Sequence, residues 1–220
     1  MIYTLTRALI RFLFWIFVEF EVEGLERIPA TGPVLLVCNH VNLMDPIVPI
    51  GLLKRRVSFM VKEEAFAWPI MGRWLRALDL VPVARGRIAA RRALARAEEV
   101  LLKQGRVFCI YPEGTRSRRP GMGPAHDGVA LLALRTGIPV VPAAITGTHQ
   151  VLPDGARFPR RDIVTFRVGE PIQVQRVAGR INRAEMEHLT EVIMRRIAAL
   201  LPPEYRGVYA GETVLVEAGR

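Results

Sequence analysis

The chain has 220 residues, 50% hydrophobic and 24% charged, which suits one well-packed domain and excludes a disordered or low-complexity protein. Its net charge of +10 fits an anionic partner: nucleic acid, an anionic membrane surface or a phosphorylated substrate. Two cysteines, Cys38 and Cys109, each within an apolar run, exclude a disulfide framework, and no CxxC or histidine-rich spacing points to a metal.

In chain order, residues 1–20 read as an N-terminal helix. The run is apolar and aromatic, but Arg7 and Arg11 interrupt it one turn apart, and a spanning helix needs about 20 mostly apolar residues. A helix lying in a membrane interface fits, and so does an ordinary helix docked on the core. No small-residue cleavage site marks a signal peptide. "EFEVEGLERIP" reads as a short edge strand and turn. Strand and helix signals then alternate: a strand over 33–40, whose apolar run Val34 to Cys38 reads as buried, a helix over 46–54, a strand over 57–62, a helix over 63–78 despite Pro69, and a strand over 80–84. Ile88 to Lys103 forms the clearest helix, with Ala90, Leu94, Ala97 and Leu101 as its inward stripe and Gly105 as its stop. A strand over 107–111, a polar loop, a helix over 128–136, a strand over 139–145 and a strand in "DIVTFRVGEPI" follow. Asn182 with Glu185 three residues on reads as a capping box, opening a last helix with Met186, Leu189, Ile193 and Ile197 inward. The expected fold is one α/β domain with a mixed, largely parallel sheet flanked by helices.

Two strand ends carry candidate chemistry. Val34–Cys38 runs into Asn39-His40, with Asp45 five residues beyond the histidine. Ligands in parallel α/β sheets bind outside the carboxyl ends of strands. On one helix, five residues place side chains about 140° apart, so His40 and Asp45 meet only if the chain turns between them. Asp45 before Pro46 allows that turn, and a carboxylate on one ring nitrogen would leave the other free as a base. Asp45 as a plain helix cap and His40 as a satisfied polar group remain the alternative. The second strand end leads into Pro112-Glu113-Gly114-Thr115-Arg116-Ser117. There Gly114 permits a close turn and Arg116 offers a fork suited to phosphate oxygens; a solvated loop is the other reading. Neither GxxxxGK[ST] nor GxGxxG is present.

Together, "NHVNLMD" and "YPEGTRS" resemble the paired signatures of the glycerolipid acyltransferases, the family of 1-acylglycerol-3-phosphate O-acyltransferase. "LVPVARG" with Arg85 and "IPVVPAAITGT" resemble its second and fourth blocks, in order, over roughly residues 20–175. The resemblance implies His40 as general base and Asp45 as its orienting partner, with Asn39, Arg85, Glu113, Gly114, Thr115 and Arg116 binding substrate. Asn39 would either position the loop or polarise the donor. It implies acyl transfer to the free hydroxyl of 1-acylglycerol 3-phosphate, giving phosphatidic acid, with acyl-coenzyme A or acyl carrier protein as donor carrier and no cofactor or metal. Residues 21–220 would form the acyltransferase domain behind the helix of residues 1–20. The partners expected are the two substrates, acyl carrier protein and an anionic membrane surface, not nucleic acid, with the protein at the cytoplasmic face as a monotopic or peripheral enzyme. Three departures from the family pattern point to another lipid alcohol as the alternative acceptor: "AHDG" at 125–128 lacks a lysine, Asn42 replaces a frequent serine, and Ala84 replaces an aspartate. Arg118 and Arg119 are candidates to compensate for the missing lysine.

Overall fold

In the computed structural model, described for residues 1–84, 86–117 and 121–211, helix α1 (Ile2–Phe17) leads without a loop into strand β1 (Val18–Glu23). There follow β2 (Val34–Cys38), α2 (Ile47–Leu52), β3 (Val57–Lys62), α3 (Glu63–Phe66), α4 (Pro69–Ala77), β4 (Val81–Val83), α5 (Arg87–Gln104) and β5 (Val107–Ile110). The chain continues through α6 (Gly128–Thr136), β6 (Val140–Thr146), α7 (Thr148–Val151), β7 (Asp162–Val168) and α8 (Arg183–Leu200). The strands form one sheet in the order β1-β7-β6-β2-β5-β3-β4. Strands β6, β2, β5, β3 and β4 run parallel, while β7 is antiparallel to β6 and β1 is parallel to β7.

Every residue of β2 and β5 is buried, as both faces of a parallel sheet are covered by helices. The alternation of side chains sorts these residues into two cores. Val34, Leu36, Cys38, Val107 and Cys109 face one layer with α1, α2 and α4; Leu35, Val37, Phe108 and Ile110 face the other with α5, α6 and α8. His40 and Tyr111 continue the parity of Cys38 and Cys109, on the side of the first layer.

Pro69 divides the helix expected over 63–78. Trp68 is extended ahead of it and Pro69 begins α4, because a proline has no N–H to continue a helix and crowds the residue before it. The inward stripe of α5 contains Ala97 and Leu101 as the sequence pattern placed them, with Leu94 packed beside it; Ala93 and Val100 complete it, and Ala90 is exposed. The capping box at Asn182 is present, with the Glu185 N–H donating to Asn182 Oδ1 at 2.8 Å. Helix α1 buries Tyr3, Thr6, Ile10 and Phe14. It can lie close to α2 because Gly51 has no side chain: a Cβ there would fall 2.5 Å from the Phe14 ring.

Candidate active site

The site forms where β2 and β5, adjacent in the sheet, both end. After Cys38 the chain turns through Asn39-His40-Val41-Asn42 and enters α2 behind Pro46. That turn is held by Asp45, which is fully buried. Its Oδ2 accepts from the backbone N–H of Val41 at 2.7 Å and of Asn42 at 2.8 Å. The same oxygen lies 2.8 Å from His40 Nδ1. Since Oδ2 already serves as an acceptor for two amides, Nδ1 is the nitrogen that donates. The neutral imidazole then presents its lone pair at Nε2. The His40 side chain is 16% exposed, and the Tyr111 ring lies against it with centroids 4.5 Å apart. This is the bent strand-to-helix geometry that the five-residue spacing required.

The other oxygen of Asp45 has a partner that the sequence did not disclose. Thr148, also fully buried, donates its hydroxyl to Asp45 Oδ1 at 2.5 Å. Thr148 opens α7 immediately after β6, which neighbours β2. The signal available was its place just beyond a strand end, as at the other two site loops.

Asn39 is buried and turned into the sheet. Its Nδ2 donates to the Ile145 carbonyl at 2.9 Å and its Oδ1 accepts the Ile145 N–H at 2.8 Å. The side chain thus continues the β2–β6 ladder by one rung beyond Cys38. Both ends of the Asn39 amide are engaged inside the chain. Asn42 secures the same turn: its Oδ1 accepts from Met44 N–H and its Nδ2 donates to the Leu152 carbonyl at 2.7 Å.

Glu113, expected to bind substrate, is likewise buried and engaged within the protein. Its Oε1 accepts the His40 N–H at 2.8 Å; its Oε2 accepts from Ser117 Oγ at 2.5 Å and Gly123 N–H at 2.9 Å. Ser117 N–H in turn donates to the His40 carbonyl at 2.8 Å, so the 112–117 loop grips both backbone groups of the histidine. Gly114 takes φ +66°, and a Cβ there would come 3.0 Å from the His126 ring; a side chain would be strained on both counts. Thr115 is exposed. Arg116 extends from the loop to Asp154 at 3.0 Å in a solvent-facing pair, an arrangement of small net energy that an anion could replace. Arg85, Arg118 and Arg119 lie outside the described residues.

Beneath the site, Cys38 and Cys109 are buried with sulfurs 3.9 Å apart. Burial pushes the Cys38 thiol well above its ordinary range, and does the same to the Tyr111 phenol. Among the described residues no group of three or more His, Cys, Asp or Glu side chains could hold a metal.

Comparison with known proteins places the chain in a family. The acyltransferase family model matches residues 19–146. The chloroplastic 1-acyl-sn-glycerol-3-phosphate acyltransferase of Brassica napus is 32% identical over 142 residues, 64% of this chain and 41% of the relative. The chain therefore spans about two-fifths of that plant protein's length. The Bacillus subtilis 1-acyl-sn-glycerol-3-phosphate acyltransferase is 26% identical over 82% of this chain and 87% of its own. Among solved structures, the 1-acyl-sn-glycerophosphate acyltransferase of Thermotoga maritima superposes with a TM-score of 0.70 at 29% identity, covering 90% of this chain and 80% of that one.

Proposed function

The chain belongs to the acyltransferase family, and on that premise we propose that it transfers a fatty acyl group from a thioester donor to the free hydroxyl of 1-acylglycerol 3-phosphate, forming phosphatidic acid. The observation that carries the reading is the buried chain Thr148–Asp45–His40 at the end of β2. Asp45 holds the proton on Nδ1 and so fixes Nε2 as the base.

In the reaction, His40 Nε2 takes the proton of the acceptor hydroxyl as its oxygen attacks the thioester carbonyl. The carbon–oxygen bond forms, the carbon–sulfur bond breaks, and the imidazolium returns the proton to the departing thiolate. No protein nucleophile is needed, because the acceptor oxygen is itself the nucleophile. General-base assistance of this kind is worth about 10²–10⁴-fold, and the remainder comes from positioning. Asn39 and Glu113 serve as positioning residues, fixing the backbone on either side of His40. Thr115 and Arg116, which face outward, bind the acceptor, with Arg116 exchanging Asp154 for phosphate.

The donor is acyl-coenzyme A or acyl carrier protein. The chain works at a membrane through α1, on the cytoplasmic face. No helix among the described residues is long and apolar enough to cross a bilayer, so seating at the interface is the form of association proposed. The absence of lysine from Ala125–Gly128 favours, as a second reading, a different lipid alcohol as acceptor. The test is product identification by mass spectrometry with long-chain acyl-coenzyme A and a set of acceptors. The proposed function requires phosphatidic acid from lysophosphatidic acid as the preferred product. Preference for another lysolipid would select the second reading, and no transfer to any acceptor from either donor would remove both.

A further inference from the structure

We propose that α4 is a second membrane-seating element, which together with α1 carries an anionic phospholipid surface up to the rim of the His40 site. The proposal rests on the reading above that the protein works at a membrane, and extends it from one helix to a continuous face.

Helix α1 has more apolar surface than the core uses. At about 100° per residue, the buried Tyr3, Thr6, Ile10 and Phe14 define one face. Ile2, Leu5, Leu9, Phe12, Leu13 and Ile16 define a second, roughly a third of a turn around, and all are exposed. A large contiguous exposed apolar surface marks an interaction site. Thr6 lies on the side of the buried face nearest the exposed stripe, and it is there that Trp74 of α4 docks, Nε1 to Thr6 Oγ1 at 2.9 Å. From that contact α4 and the residue that caps it add further unburied apolar side chains: Trp68 is 69% exposed, Ile70 87% and Met71 42%.

All three tryptophans of the chain are exposed, Trp15 on α1, Trp74 on α4 and Trp68 as the residue that caps α4. Tryptophan in water-facing positions with few polar neighbours suits the headgroup level of a bilayer, where one edge of the ring is wet and the body is not. Beside α4 the charge is predominantly basic: Lys62, Arg73 and Arg76 are exposed, against Glu63 and Glu64 at the start of α3. That complements an anionic lipid surface rather than a neutral or basic protein.

Topology brings this face to the site. Strand β3 ends at Lys62 on the same sheet edge where β2 ends before His40, so Trp68 and Ile70 begin α4 near that edge. Helix α4 then descends, and Asp79 beyond it reaches Arg106 ahead of β5. Helix α1 starts at the opposite edge, where the Tyr3 hydroxyl accepts from Val57 N–H at 2.9 Å. It crosses the same face to enter β1, whose first residue Val18 is level with Asp162, the start of β7. Since β7 is antiparallel to β6, that point is again the edge of His40. In the sheet order β2 lies between β1 and β3. The ends of α1 and α4 therefore flank His40, and exposed Leu43 lies in the loop between. A lipid held against this face reaches the base without leaving the interface.

The test uses the full chain carrying Trp68→Ser, Ile70→Ser and Met71→Ser. All three positions are exposed, and serine is a favourable N-cap at 68, so circular dichroism and thermal unfolding should match the parent. Flotation with vesicles containing phosphatidylglycerol is expected to show at least a tenfold loss of binding, and transfer to lysolipid embedded in those vesicles falls with it. Transfer to a short-chain, monomeric lysolipid stays within about twofold. Unchanged vesicle binding overturns the proposal, as does loss of transfer to the monomeric acceptor with binding intact, or a parent that is dimeric where the triple variant is monomeric and still binds vesicles. If the parent binds vesicles and the variant does not, but neither transfers acyl groups, the membrane face stands and the proposed reaction fails.

Discussion

Replacing Thr148 by valine removes one hydroxyl from a site where nothing can substitute for it. The side chain keeps its shape, Asp45 and Thr148 are both fully buried, and Asp45 Oδ1 loses a donor at 2.5 Å. A hydrogen bond to a charged group contributes about 1.5–3 kcal/mol, so Thr148→Val should destabilise the fold by that amount. For a chain of this size that is a fall in Tm of about 4–10 °C. Asp45 Oδ2 still holds His40 through Nδ1, so the base survives but is less firmly aimed. With 1.4 kcal/mol per tenfold in rate, an equal loss at the transition state would lower kcat by about 10- to 150-fold while KM for the acceptor changes little. Thr148→Ser restores the donor and should recover both properties to within about twofold. The assays are thermal unfolding and steady-state acyl transfer at saturating donor. A valine variant as stable and as active as the parent, or a serine variant no better than valine, would refute the reasoning.

Asn39→Leu leaves Ile145 N–H and C=O without their partners and should cost roughly 3 kcal/mol of stability. If Asn39 positions rather than binds, the folded fraction keeps its acceptor KM to within about twofold, measured at low temperature. Arg116→Ala breaks only the exposed pair with Asp154, so urea unfolding should shift by less than about 1 kcal/mol. The same variant should raise KM at least tenfold for a phosphorylated acceptor and much less for one without phosphate. Burial raises the Cys38 thiol and the Tyr111 phenol in the folded chain, so folding favours their protonated forms. That stability is complete below the ordinary thiol range near about pH 8.5 and is lost as pH rises above it, with a second loss beyond about pH 10. Thermal midpoints between pH 7 and 10.5 check this, and a flat profile would contradict it.

Where local signals decide structure, the sequence was sufficient. Val57–Lys62 and Gly128–Thr136 have the limits read from their apolar runs and bounding residues, and β2 is the apolar run Val34–Cys38 inside the strand read over 33–40. His40 and Asp45 could be paired because the turn between them is five residues long and ends at Pro46. Over 63–78, where the periodicity predicts one helix, Pro69 starts a second, because it has no N–H to continue the first. What local pattern could not convey is pairing across the sheet. Thr148 lies 103 residues from Asp45, and Asn39 finds its partner 106 residues away. Both contacts exist only because β6 folds beside β2. Nor did the residue type of Glu113 reveal that its carboxylate turns inward to the His40 backbone rather than outward to a substrate. The orientation of β1, parallel to β7 and opposed to the other five strands, likewise depends on where α1 crosses the sheet.

The central claim is that His40 is the base of an acyl transfer. It is tested most directly by comparing the parent with His40→Ala, confirmed folded by circular dichroism, in transfer from long-chain acyl-coenzyme A to lysophosphatidic acid in anionic vesicles. The account predicts a loss of kcat/KM of about 10²–10⁴-fold, with vesicle binding unchanged. Transfer retained to within about tenfold in the folded variant would contradict it.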